Sequence, residues 1–152
     1  MQIILALHNL LRWAVLLFGL LTVLRAIGGV SSGRIYNSSD NKTNLFFMIS
    51  CDIQLLLGLA LFFMNGWMDK LRAGSEVMKN AETRFFSVEH GGMMIFAWIL
   101  VHIGRSAVKR TISDKGRHRK SLVIFGIALL IILASIPWPF RQIIGRPYFR
   151  AF

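Results

Sequence analysis

Six titratable side chains stand inside otherwise apolar stretches of this sequence, where charged groups are costly. They are His8, Arg12, Asp52, Glu89, His90 and His102. A charge near the centre of a lipid bilayer costs at least about 2.5 kcal/mol, so such residues normally face the protein interior and have partners. These six residues are therefore the first candidates for chemistry in this chain.

His8 and His90 are predicted to lie at the same depth in a membrane. Each follows the start of its apolar stretch by about five residues, which is roughly 7 Å along a helix. Two imidazoles at one level on facing helices can clamp a haem iron. Gly91 and Gly92 would let a flat macrocycle approach the backbone, and Arg12, one helical turn after His8, would reach a propionate. The sequence thus predicts His8 and His90 as ligands of a haem iron and Arg12 as a further cofactor contact.

A purely structural explanation of the same residues stays open. Histidines near the end of a span often only form hydrogen bonds at the interface, and Glu89 and His90 could tie helices together through Arg12. By helix rise the Cα atoms of Arg12 and Asp52 differ in level by about 6 Å, within reach of a long guanidinium. We therefore expect a buried polar network of Arg12, Asp52, Gln54 and Glu89. It would serve helix packing or, as the alternative, a site that handles protons or a quinone.

His102 raises the question of a second haem, because it lies twelve residues after His90. Two haems stacked along one helix would need such a separation. No second imidazole is expected at the level of His102, since His118 belongs to a basic loop and Cys51 and Asp52 stand where a partner would be needed. A second haem is therefore not expected.

The elements that must position these residues are four apolar helices. The chain has 152 residues, 55% of them hydrophobic and only 16% charged, against about 25% charged in an average soluble domain. A helix needs roughly 20 apolar residues to cross the hydrocarbon layer. We predict an all-α fold, a transmembrane four-helix bundle in one domain covering 1–152. The spans are predicted at about 3–26, 45–64, 85–103 and 122–138.

The charge pattern predicts how the bundle sits in the membrane. The net charge of +11 would suggest nucleic acid in a soluble protein. Here most basic residues flank apolar stretches, so the expected partner is the lipid bilayer and no nucleic acid. Ten Lys and Arg residues fall on the side that carries the loop 105–120 and seven on the other. The excess places that loop in the cytoplasm, and both termini are predicted on the outer, periplasmic side. The first apolar stretch is expected to be an uncleaved span.

Five segments together carry a family resemblance: LHNLLRW, DIQLLLGLALFF, RFFSVEHGGMMI, RHRKSLVIFGIALL and IPWPFR. Over nearly its whole length the chain resembles small four-span bacterial membrane proteins that are similar to transmembrane b-type cytochromes. The resemblance implies a multi-pass protein of the bacterial inner membrane, with haem b held by His8 and His90. Related chains often carry a histidine where this one has Cys51-Asp52, and that departure argues against an inner haem.

Two functions remain open from the sequence. The first is an electron-carrying cytochrome, or a cytochrome-like subunit, that takes part in respiratory electron transfer. The second is a non-catalytic accessory subunit that docks onto a larger membrane complex, with the tail PWPFRQIIGRPYFRAF as a strap for a partner surface. A third, weaker hypothesis is a small transporter or proton-conducting bundle built on Arg12, Asp52 and Glu89. Because the chain has no room for a soluble catalytic domain, we expect an electron carrier or accessory subunit rather than an independent enzyme.

Overall fold

The computed structural model describes residues 1–72, 74 and 76–149, and within these residues it contains helices and no strand. The prediction of an all-α fold is confirmed. The helices are α1 (Gln2–Ser32), α2 (Ser38–Met64), α3 (Trp67–Arg72), α4 (Glu76–Lys79), α5 (Ala81–Lys109) and α6 (Asp114–Ser135). One π-helical turn, Phe85–Glu89, lies within α5, and another, Ser121–Phe125, lies within α6.

Four of these helices, α1, α2, α5 and α6, are long and apolar enough to cross a membrane. With 31 residues, α1 is about 46 Å long, which exceeds the ~30 Å hydrocarbon layer. It continues past the predicted end at residue 26 and stops at Gly33, which is in the left-handed conformation with φ 67°. The structure thus confirms four helices of spanning length, although α1 ends later than the sequence predicted.

The start of α2 also differs from the prediction. Asn37 accepts hydrogen bonds from the backbone N–H groups of Ser39 and Asp40, while the Asp40 side chain accepts from the Asn37 N–H. This reciprocal capping satisfies backbone donors that a helix start otherwise leaves unpaired. It allows α2 to begin at Ser38 instead of 45, and most of the predicted polar loop becomes helix. At the other end of the chain, α6 stops at Ser135, because Pro137 cannot continue a helix.

The four long helices pack in a closed order. Helix α1 packs against α2 and α6, and α5 also packs against α2 and α6. Helices α1 and α5 therefore face each other across the core, as do α2 and α6. The core is apolar and includes Phe47, Ala97, Val101 and Phe125. The outward surfaces of the long helices carry many exposed large apolar side chains, which suits contact with lipid.

Candidate functional site

A cavity of about 480 Å³ lies between the four long helices, at the end where the first turns of α1 meet the segment after α6. Its volume falls within the range of small-molecule and cofactor sites, about 300–1,000 Å³. Both predicted iron ligands, His8 on α1 and His90 on α5, line this cavity, together with Arg12 and Gln54. The two imidazoles thus come from helices that face each other.

The orientation of the His90 ring is fixed by one hydrogen bond. Its Nδ1 lies 2.8 Å from the carbonyl oxygen of Ser135. A carbonyl can only accept, so Nδ1 carries the proton and Nε2 of the neutral ring keeps its lone pair. The residue directly follows the π-helical turn Phe85–Glu89, and such turns occur often at functional sites. A histidine that donates its second nitrogen to a carbonyl is the usual arrangement of a metal-bound imidazole.

The surroundings of His8 leave polar atoms without partners. Its Nδ1 is buried and has no hydrogen-bond partner among the described residues, and the same holds for Oε1 of Gln54. Gln54 donates from Nε2 to the carbonyl oxygen of His8 at 3.0 Å, which ties α2 to α1 at this level. A buried polar atom without a partner costs about 1–3 kcal/mol. Both atoms belong to residues that line the cavity, but each is packed away from its open space.

Small residues keep the space around the imidazoles open. A Cβ atom built on Gly58 would lie 3.2 Å from Cε1 of His8. Gly91 and Gly92 also line the cavity, and a Cβ atom on either would meet nothing within 4 Å. No group of three or more His, Cys, Asp or Glu side chains suited to a metal ion is found in the described parts of the chain. Among the residues that line the cavity, the imidazole groups are those of His8 and His90.

Arg12 is buried, with 8% of its surface exposed, but it pairs differently from the prediction. Its Nη2 donates to the carbonyl oxygen of Tyr148 at 2.7 Å. Its guanidinium carbon lies 5.2 Å from the ring centroid of Trp13 and 5.9 Å from that of Trp138. Its Nε is buried without a partner among the described residues.

The expected ion pairs of Arg12 with Asp52 or Glu89 do not form, and this corrects the predicted polar network. Glu89 accepts from Nε of Arg84 at 2.7 Å. Asp52 accepts from Nε1 of Trp98 at 2.7 Å. The structure therefore divides the four network residues, leaving Arg12 and Gln54 at the cavity and placing the two carboxylates elsewhere.

The chain after α6 folds back over the start of α1, which the sequence did not reveal. Besides the bond from Arg12, Tyr148 accepts from Nε1 of Trp13 at 3.3 Å, and Asn9 donates to the carbonyl oxygen of Pro147 at 3.2 Å. Arg146 lines the cavity and donates to Glu82 at 2.5 Å. Through residue 149 the tail thus covers the protein's own cavity. A role of the same segment as a strap for a partner surface stays a prediction, and 150–152 lie outside the described residues.

At the opposite end of the long helices, a buried carboxylate is held by two arginines. Asp40 is 3% exposed and accepts from Arg25 at 2.9 Å and from Arg34 at 2.6 Å. The hydrogen bond to Asp40 raises the pKa of the Arg34 guanidinium. Nearby, burial raises the pKa of the Tyr36 hydroxyl, which accepts from Asn44 at 2.9 Å.

His118, which the sequence placed in a basic loop, lies in the first turns of α6 and is 1% exposed. Its ring packs so closely on Gly29 that an added Cβ atom there would lie 2.2 Å from it. Its neighbour Tyr36 lies 5.2 Å away between ring centroids. The basic segment is therefore partly core, because its helix turns one imidazole inward while the charges on either side stay outside.

Comparison with protein-family models, curated proteins and solved structures finds no match to this chain. The resemblance to small cytochrome-like membrane proteins therefore stays a prediction from the motifs, and the candidate site stands on its own geometry.

Proposed function

We propose that this protein is an integral membrane b-type cytochrome-like protein that takes part in respiratory electron transfer, with haem b held by His8 and His90. The observation that carries the proposal is the shared cavity: two imidazoles from facing helices line one space of about 480 Å³. The bare Nε2 of His90 supplies a nitrogen atom for a ligand, and the His8 ring lines the same cavity.

Each cavity residue has a distinct part in this proposal. Haem, when bound, supplies an iron that stores and passes on one electron. Ser135 holds the His90 ring through its carbonyl, and Gly58 leaves room for the His8 ring. Arg12, which lines the cavity, would bind a propionate through a charge-assisted hydrogen bond. The protein contribution is thus orientation, charge balance and exclusion of water.

An absorption spectrum tests this function. Purified wild-type protein is expected to show a reduced-minus-oxidised b-type haem signal, because both ligands are in place. His8→Leu and His90→Leu should each abolish the signal while the protein still inserts into the membrane. His102→Gln, at a histidine that does not line the cavity, keeps a polar group beside Asp52; it is the control and should keep the signal. A colourless wild-type protein would remove the cytochrome proposal.

The proposal includes an orientation for the transmembrane four-helix bundle in the bacterial inner membrane. The excess of basic residues on the side of the loop 105–120 supports a cytoplasmic location for that loop. Cysteine labelling of intact cells tests it, since the native Cys51 is buried. Phe149→Cys should react with a membrane-impermeant reagent from outside, and Lys115→Cys should not. Equal labelling of the two sites would contradict this topology.

The accessory-subunit function remains the second candidate, and exposed apolar side chains in the tail favour it. Phe140 is 73% exposed, Ile143 65% and Phe149 69%. If these side chains bind another membrane subunit, Phe140→Ser combined with Phe149→Ser should release the protein from a larger assembly in mild detergent. The mass of the solubilised particle measures this. A particle of unchanged mass would rule out docking through these two rings.

A further inference from the structure

A second polar site lies outside the cavity, between α2 and α5. Asp52 is near the middle of α2, and Trp98 and His102 are one turn apart on α5. The Asp52 Oδ1 accepts from the Trp98 indole at 2.7 Å and lies 3.3 Å from Nε2 of His102. The sequence analysis singled out Asp52 and His102 as residues that do not belong in lipid, and the proposed haem site uses neither.

This pair faces outward, towards the lipid. The side chain of Asp52 is 36% exposed and that of His102 is 37% exposed. Around them, the outward side chains are large and apolar, including Ile49, Ile99 and Ile103. An unneutralised carboxylate in such surroundings would cost several kcal/mol, so its charge needs compensation.

No arginine supplies that compensation in the described part of the chain. Arg12, the expected partner, donates to Tyr148 instead. Arg105, three residues after His102, donates to Asn41 at 2.6 Å. The basic group that the structure places within ion-pair distance of Asp52 is His102.

Both ring nitrogens of His102 lie near acceptor atoms, and a neutral imidazole carries a proton on only one of them. Its Nδ1 lies 3.1 Å from the carbonyl oxygen of Trp98, a contact that is attractive when Nδ1 carries the proton. In a neutral ring Nε2 would then present a lone pair to an ionised Asp52 oxygen 3.3 Å away, and the two lone pairs would repel. A proton on either atom turns this repulsion into attraction.

We propose that Asp52 and His102 form a proton-binding site within the membrane, in which the two side chains together hold one proton. The pair then has no net charge, either as carboxylate and imidazolium or as carboxylic acid and neutral imidazole. Trp98, whose indole donates to Asp52, also lines the cavity, whereas neither Asp52 nor His102 does. The proton-binding site thus contains neither of the proposed haem ligands.

Spectroscopy on the full-length protein in lipid bilayers tests this site at neutral pH. Nitrogen NMR of histidine-labelled protein reports an imidazolium at His102, and infrared spectroscopy reports a protonated carboxyl at Asp52. His102→Gln assigns the first signal and Asp52→Asn the second. Asp69→Asn, which changes an exposed carboxylate on α3, is the matched control and should alter neither.

The wild-type protein is expected to show one of these two signals, either the imidazolium or the protonated carboxyl. Substitution of the residue that gives the signal should abolish it. If the imidazolium is the form present, Asp52→Asn should also convert His102 to the neutral ring. The proposal is overturned if wild-type protein contains a neutral His102 together with an ionised Asp52. If either variant fails to fold, the wild-type spectra alone decide whether the proposal holds. Substitutions of His8, His90 and His118 then distinguish the signals of these residues from that of His102.

Discussion

The two ends of the four long helices fill the space between them in opposite ways. At one end, here called the filled end, the rings of Phe47 and Phe125 meet across the core at 5.9 Å and both are fully buried. Asn44 donates to Ser121 at 3.1 Å between the same two helices. At the other, the hollow end, His8 and the helix facing it are separated by the cavity of about 480 Å³.

This difference in packing indicates which end of the helices binds a ligand and which end stabilises the fold. Protein interiors are normally close-packed, and voids larger than a water molecule are few. The same four helices achieve this packing at the filled end. At the hollow end they present glycines and two imidazoles to an open space. We therefore expect the filled end to determine stability and the hollow end to bind a ligand.

The largest expected loss of stability follows from breaking the ion pairs of Asp40 at the filled end. Asp40→Asn removes the charge that balances Arg25 and Arg34 and weakens the cap of α2. Removing one partner of a buried pair costs roughly 3–5 kcal/mol in soluble proteins. The free energy of unfolding in detergent should fall by an amount of that order. A loss below about 1 kcal/mol, the value of a surface pair, would contradict the assignment of stability to this end.

A smaller effect is expected for Gly29→Ala, also at the filled end. The new methyl group would lie 2.2 Å from the buried His118 ring, and such overpacking typically costs about 1–3 kcal/mol. Gly28→Ala is the matched control on the adjacent residue, because its Cβ atom would meet nothing within 4 Å. Thermal unfolding of both variants measures the difference. Equal stability of the two would show that the packing around His118 is loose.

The smallest expected change in stability is for a substitution in an exposed ion pair at the hollow end. Glu82→Gln removes the charge partner of Arg146, but the two side chains are 46% and 36% exposed, and exposed pairs contribute about 0–1 kcal/mol. The unfolding free energy should change by less than about 1 kcal/mol. If this variant lost as much stability as Asp40→Asn, the contrast between the two ends would fail.

The sequence predicted the helices better than it predicted their contacts. Apolar stretches of spanning length identify membrane helices because the bilayer sets their length. Residue counting likewise put His8 and His90 at one level, and both line one cavity. Counting does not give the rotation of a helix about its axis, however. Arg12 and Asp52 are at similar levels, yet one lies against Tyr148 and the other against Trp98.

Contacts through backbone carbonyls were also beyond the sequence. The carbonyl groups of Ser135 and Tyr148 hold His90 and Arg12, and every residue has a carbonyl, so side-chain patterns cannot identify them. Pro137 and Pro139 signalled a break after α6, but not the direction in which the chain would continue. The start of α2 was missed because a capping asparagine inside a polar stretch was read as part of a loop.

The haem content of the purified protein tests the central claim, that the hollow end is a haem site, most directly. The measurement is the amount of haem per chain in protein purified from membranes and supplied with haem, for wild type and for His90→Leu. We predict one haem per wild-type chain, because His8 and His90 form one ligand pair, and none in the variant. A wild-type protein that binds no haem, or a His90→Leu variant that binds as much as wild type, would contradict the account.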